Sequence, residues 1–318
     1  MTAAAALKVH LRVLDIHRTT LRVVTLRPQT ATRFSTNYFH DTWHILAGTG
    51  GAVLLGRLLW GLAFQRYPGT VILIDEPHLV PTPFEADPPD PILLVPDGLT
   101  RIDDDVLRAL KLRLRRAPGS PTTIRWHTFG MPAALADDDA QRGRWRGWWR
   151  APGQRALWTR ERMSRRAGFV CYTAPAEILR SHALGIYRMH AYREGYHPLA
   201  EHGARQTWGY DGEFQLIPDF ADDVSAARVA RRELLEHEAD MITTDDDRWA
   251  IYRRKTSALQ RLRDARVRPP RRGAQDLAGP RRTSLQRLDR LRRRCGAWFG
   301  ETADTRAGAA GLGTALVR

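Results

Sequence analysis

The stretch from residue 43 to residue 75 constrains the fold more than any other part of the chain. It reads Trp43-His44-Ile45-Leu46-Ala47, then Gly48-Thr49-Gly50-Gly51, then an apolar-periodic run over 52–67, then Pro68-Gly69, then Thr70-Val71-Ile72-Leu73-Ile74-Asp75. The grammar is strand, glycine turn, helix, strand. Val53, Leu54, Arg57, Leu58, Gly61 and Leu62 recur at three- and four-residue spacing, Pro68-Gly69 stops the helix, and 71–74 is an unbroken apolar run suited to a buried parallel strand. A βαβ unit is the expectation. Residues 45–64 are long enough to span a bilayer, but Arg57 and five glycines interrupt them and the βαβ reading accounts for them better, so no membrane partner is expected.

Here the sequence resembles the dinucleotide-binding fingerprint of Rossmann-type domains. In that fingerprint glycines let the backbone approach a pyrophosphate at a helix N-terminus, and an acid ending the second strand holds the ribose hydroxyls. Gly48 and Gly50 match the first two glycines and Asp75 the acid. Val53 stands where the third glycine falls, with Gly51 and Gly56 on either side. The resemblance covers residues 43–75 of 318. It implies a Rossmann-like, mostly parallel sheet and an adenine-containing cofactor, NAD or FAD, held by Gly48, Thr49, Gly50, Gly51 and Asp75, of the kind that serves redox chemistry. A carboxylate at 75 would repel the extra phosphate of NADP. S-adenosylmethionine fits less well, because Leu46 and Ala47 occupy the place of the acid that usually precedes the glycines. A P-loop fits poorly too: Gly51 and Gly56 have the spacing, but Arg57 and Leu58 replace the phosphate-binding Lys and the magnesium-binding hydroxyl.

Around this unit the pattern continues as α/β. Strict alternation at Leu7, Val9, Leu11 and Val13, followed by a β-branched run over 20–26, predicts an N-terminal β-hairpin. Strands are expected at 92–95, 122–129 and 169–173, and helices over 103–116, 176–184, 226–241 and 248–267. Asp103-Asp104-Asp105 reads as a helix cap rather than a metal site, and the same holds for 137–139 and 245–247, so no metal is predicted. His190, Tyr192, Tyr196, His197, His202, Trp208 and Tyr210 cluster without metal-ligand spacing, and neither they nor any other residues mark a catalytic acid, base or nucleophile.

The formal net charge of +15 is unevenly spread. Residues 1–140 are near balance, 141–166 carry nine arginines against Glu161, 167–247 carry 7 basic and 15 acidic residues, and 248–294 carry 17 basic and 3 acidic ones. Four segments follow: a Rossmann-like domain over 1–140, an Arg/Trp-rich connection over 141–166, an acidic α/β continuation over 167–247, and a basic, mainly helical, partly disordered tail over 248–318. Arg144, Trp145, Arg146, Trp148, Trp149 and Arg150 interleave guanidinium groups with rings in a way that can stack bases and neutralise phosphates. This gives a second reading, a non-enzymatic nucleic-acid-associated protein. A third is a scaffold whose crevice stays empty. With 47 Arg against 3 Lys, part of the arginine content reflects coding bias. Two cysteines 124 positions apart fit a reducing compartment and rule out a four-thiolate zinc site within the chain. With no secretory leader over residues 1–14, a cytoplasmic protein is expected.

Overall fold

The computed structural model describes residues 6–116, 120–141, 156–191, 195–200, 210–237 and 245–267. All of them fall in one compact unit, Met1–Val267; a second unit, Arg268–Arg318, lies outside the described residues, and with it most of the basic tail. The elements in chain order are β1 (Ala6–Ile16), β2 (Thr19–Thr25), β3 (Phe34–Phe39), β4 (Thr42–Ala47), α1 (Thr49–Ala63), β5 (Thr70–Ile74), β6 (Ile92–Pro96) and α2 (Asp104–Arg116). They continue with β7 (Thr122–His127), α3 (Met131–Gln141), β8 (Arg162–Arg166), β9 (Phe169–Ala174), α4 (Ala176–Arg188), β10 (Gly195–Leu199), β11 (Gly212–Leu216), α5 (Phe220–His237) and α6 (Asp245–Val267).

The strands form two sheets. A seven-stranded sheet has the order β7-β1-β2-β5-β6-β9-β8, and a four-stranded sheet the order β10-β11-β4-β3. The N-terminal hairpin is present, with β1 and β2 antiparallel and Ile16 opposite Thr19. The large sheet is mixed rather than mostly parallel. Only β2–β5 and β6–β9 run parallel, while the other four pairings are antiparallel.

The expected βαβ unit is built differently. β4 and β5 flank α1 as the sequence implies, but β4 pairs with β3 and β11 in the small sheet and β5 with β2 and β6 in the large one. The reason lies in α1 itself. Leu54, Leu55, Leu58, Leu59, Trp60 and Leu62 are all buried, so the helix is apolar around most of its circumference and one sheet could cover only part of it. It lies in the core between the inner faces of both sheets: Ile72 and Ile74 of β5, Ile45 of β4 and Phe214 of β11 share one apolar cluster with it and with α4. That burial also explains why 45–64 reads as membrane-like. No helix among the described residues is long and apolar enough to cross a membrane.

The opposite face of the large sheet packs on α2, through Leu21, Val71, Leu73, Leu93, Val95, Leu107 and Leu110. Asp103 caps α2, its Oδ1 accepting the amide of Val106 at 2.8 Å, as the capping reading requires. The pairings β6–β9 and β4–β11 cross the boundaries expected near 140 and 167, so both segments contribute to each sheet. Two hairpins went unforeseen. β3 and β4 join through His40 and Asp41, both left-handed at φ 51° and 58°, and β8 and β9 through Ala167 and Gly168, at φ 49° and 77°. Two left-handed residues in succession match the right-handed twist of the strands they join.

Candidate functional site

Adjacent parallel strands whose following connections leave to opposite faces open a crevice at their carboxyl ends. β6 and β9 are such a pair. After β6 the chain turns through Asp97 and Gly98 to α2 on one face; after β9 it enters α4 on the other. The two ends are tied by the Asp97 amide donating to the Ala174 carbonyl at 2.8 Å. Gly98 has φ +82°, which permits the reversal.

A cleft of about 430 Å³ lies here, lined by Asp97, Gly98, Arg101, Arg160, Arg162, Ser164, Arg166, Cys171 and Thr173. Its volume is within the roughly 300–1,000 Å³ range of small-molecule sites. The hairpin register explains the lining. Arg162 stands opposite Thr173 and Ser164 opposite Cys171, so period-two alternation puts Arg162, Ser164 and Arg166 on one face of β8 with the two β9 side chains. Leu93 and Val95 pair with Cys171 and Thr173 and extend the floor into a neighbouring hollow of about 200 Å³ towards Leu107.

The four arginines are held unequally. Arg160 donates to Asp97 Oδ2 from Nε at 2.7 Å, and Arg166 to Asp104 Oδ1 at 2.8 Å and to the Ile102 carbonyl at 3.0 Å. Arg162 reaches only the Thr159 carbonyl, at 3.2 Å, and Arg101 is exposed; neither pairs with a carboxylate among the described residues. Asp97 is the sole acid in the lining, so the cleft is cationic. Burial pushes the Cys171 thiol up to about 12, against the weaker pull of Arg166, so the thiol on the floor is a neutral apolar contact.

The residues marked by the glycine fingerprint take other places. Gly48 is the N-cap of α1, and its carbonyl accepts the amides of Gly51 and Ala52 at 2.8 and 3.3 Å. The helix therefore begins at Thr49, and Gly50 and Gly51 lie in its first turn. Thr49 and Gly50 are exposed, whereas Gly51 is buried where a Cβ would collide with that of Ala47. The close helix-to-strand packing of a third fingerprint glycine thus falls to Gly51. Asp75 follows β5 of the large sheet, whereas this turn follows β4 of the small one. Ile72 and Ile74 pack on the α1 side, Val71 and Leu73 on the α2 side, and alternation carries Asp75 to the α2 side, where Arg12 acts on its charge. Burial outweighs that attraction and pushes the Asp75 carboxyl up to about 6.

Arg144, Trp145, Arg146, Trp148, Trp149 and Arg150 lie outside the described residues, as do Tyr192, His202 and Trp208. Among the described residues no group of three His, Cys, Asp or Glu side chains could hold a metal ion. The sequence reading missed the cleft because it took 141–166 as a connecting segment. The available signal was the alternation Arg162, Ser164, Arg166 running into Ala167-Gly168 and the apolar strand beyond. Comparison with protein families, curated proteins and solved structures finds no match to this chain.

Proposed function

We propose that the protein binds a small phosphorylated ligand, of mononucleotide size, in the arginine-lined cleft between β6 and β9. One observation carries the reading: Arg101 and Arg162 line a concave site at the carboxyl ends of two parallel strands, with no carboxylate paired to either among the described residues. Guanidinium groups match phosphate oxygens in geometry and charge. Ser164 and Thr173 add hydroxyl donors, and Leu93 and Val95 offer an apolar floor to an organic moiety. The expectation of a nucleotide ligand is kept, with its place moved from the glycine turn to this crevice.

A second reading, a nucleotide phosphate at the start of α1, is favoured by the exposure of Thr49 and Gly50 at a helix N-terminus. One experiment separates the two. Thermal unfolding is followed with AMP, ADP, NAD, FAD and pyrophosphate; a ligand at 100 times its Kd stabilises the fold by about 2.7 kcal/mol. The expected result is a stabilisation that the double substitution Arg101→Ala, Arg162→Ala abolishes and that Gly50→Val leaves intact. The reverse pattern assigns the ligand to α1. No stabilisation by any of the five counts against both.

A further inference from the structure

On the other face of the β8–β9 hairpin, turned away from the cleft, four polar side chains from four segments meet in the core. Glu161 ends the helical turn that leads into β8, its amide bonded to the Trp158 carbonyl, and its side chain is wholly buried. Tyr172 of β9 donates its hydroxyl to Glu161 Oε1 at 2.6 Å. His182 of α4, 2% exposed, brings Nε2 to 2.8 Å from the same oxygen. Its Nδ1 lies 2.7 Å from Nε2 of His197 on β10. His197 is half-buried, its ring seated against Gly185 of α4, where a Cβ would collide with it. Trp158 packs edge-on to His182 with ring centroids 5.5 Å apart, which fixes the plane of the imidazole.

We propose that Glu161, His182 and His197 form a proton relay that makes His197 a general base, able to take a proton from water or from a hydroxyl brought to its Nδ1. The titratable groups that face His182 are Glu161, Tyr172 and His197. Desolvation opposes the charged form of the buried carboxylate, but His182, Tyr172 and the Ala200 backbone together hold its pKa below the usual value. With Glu161 ionised, His182 carries its proton on Nε2, facing the carboxylate, and Nδ1 is left as an acceptor for the Nε2–H of His197. When a proton arrives at His197 Nδ1, the Nε2 proton passes to His182 Nδ1. The charge then rests on an imidazolium beside the carboxylate, and the donor is left as hydroxide or alkoxide. Burial pushes the pKa of His197 well down, so the ring is unprotonated at neutral pH, and the carboxylate acting through His182 is what offsets the basicity lost. His182 and Glu161 are positioning residues in this scheme. The relay is independent of the ligand proposed for the cleft.

Diethyl pyrocarbonate reads the relay directly. Nδ1 of His197 attacks a carbonyl carbon, the anhydride C–O bond breaks, ethyl carbonate leaves, and the Nε2 proton moves to His182. With the site of modification located by mass spectrometry, His197 is expected to react at least about tenfold faster than exposed His17. In His182→Asn, with folding checked by circular dichroism, that rate is expected to fall by about tenfold. An unmodified His197 in a folded protein whose His17 reacts overturns the proposal, as does an unchanged rate in His182→Asn. Ring ¹⁵N shifts of the unaltered protein need no substitution. A neutral His197 protonated on Nε2 supports the relay; the Nδ1–H tautomer overturns it.

Discussion

Asp75 shows how burial sets the behaviour of a single group. Its carboxyl is raised to about 6, chiefly by desolvation, with Arg12 opposing the shift. The folded chain therefore binds this proton more tightly than the unfolded chain does. The resulting stabilisation is complete below about pH 4 and is lost as the pH rises through 6. Raising the carboxyl from its ordinary value to about 6 corresponds to at most about 3 kcal/mol. Asp75→Asn is expected to be more stable than the unaltered protein at pH 7.5 and equal to it near pH 4, by denaturant unfolding at each pH; a less stable Asn variant at pH 7.5 would mean that Arg12 outweighs burial. At this scale the sequence was legible for conformation and poorly legible for contact. Asp103 could be read as a cap because it bonds three residues ahead in the chain. Glu161, His182 and His197 could not be read as a group, because their meeting depends on the return of α4 and β10 beneath the β8–β9 hairpin, and no local spacing encodes that.

Within α1, two adjacent glycines play opposite parts. A Cβ on Gly50 meets only Thr32 Oγ1, at 3.7 Å, whereas a Cβ on Gly51 would run into Ala47. Gly50→Ala is therefore expected to raise stability by up to about 1 kcal/mol, through helix propensity alone. Gly51→Ala is expected to lower it by about 1–3 kcal/mol, the usual penalty for overfilling a packed core. Thermal unfolding of the pair checks both signs, and a destabilised Gly50→Ala would show that its place in the first turn needs glycine for another reason. Most elements could be read from periodicity, the N-terminal hairpin and α2 most clearly. The glycine fingerprint located the start of α1 but misassigned the partners of β4, since a strand's own sequence does not name the sheet it joins.

The whole unit is arranged around α1, with a sheet on either side and α4 against it. Its amides should exchange with solvent among the slowest in the protein, and those of the edge strands β7 and β8 earlier; hydrogen exchange resolved by peptide checks that order. Early exchange in α1 would mean that the two sheets open apart more readily than either melts. The division expected from charge, with boundaries near 140 and 167, has no counterpart in the strand pairing, because charge reports on the surface and the sheets are assembled through apolar rows. β8 shows the two acting together: as the last strand of the large sheet it carries Arg162, Arg165 and Arg166, which discourage another strand from adding to it.

The place of β1 has a consequence in time. The strand lies between β2 and β7, with Ala6 opposite His127. A ribosome that adds about 5–20 residues per second makes β2 almost at once but needs roughly 5–20 s more to complete β7. For that interval the edge of β1 that β7 will cover is without its neighbour, although α1, which shares the core with Leu7, Val9 and Leu11, has already been made. β1 is thus made about 100 residues before the strand that completes it, and for that time its free edge is the part of the growing sheet that a chaperone would have to cover.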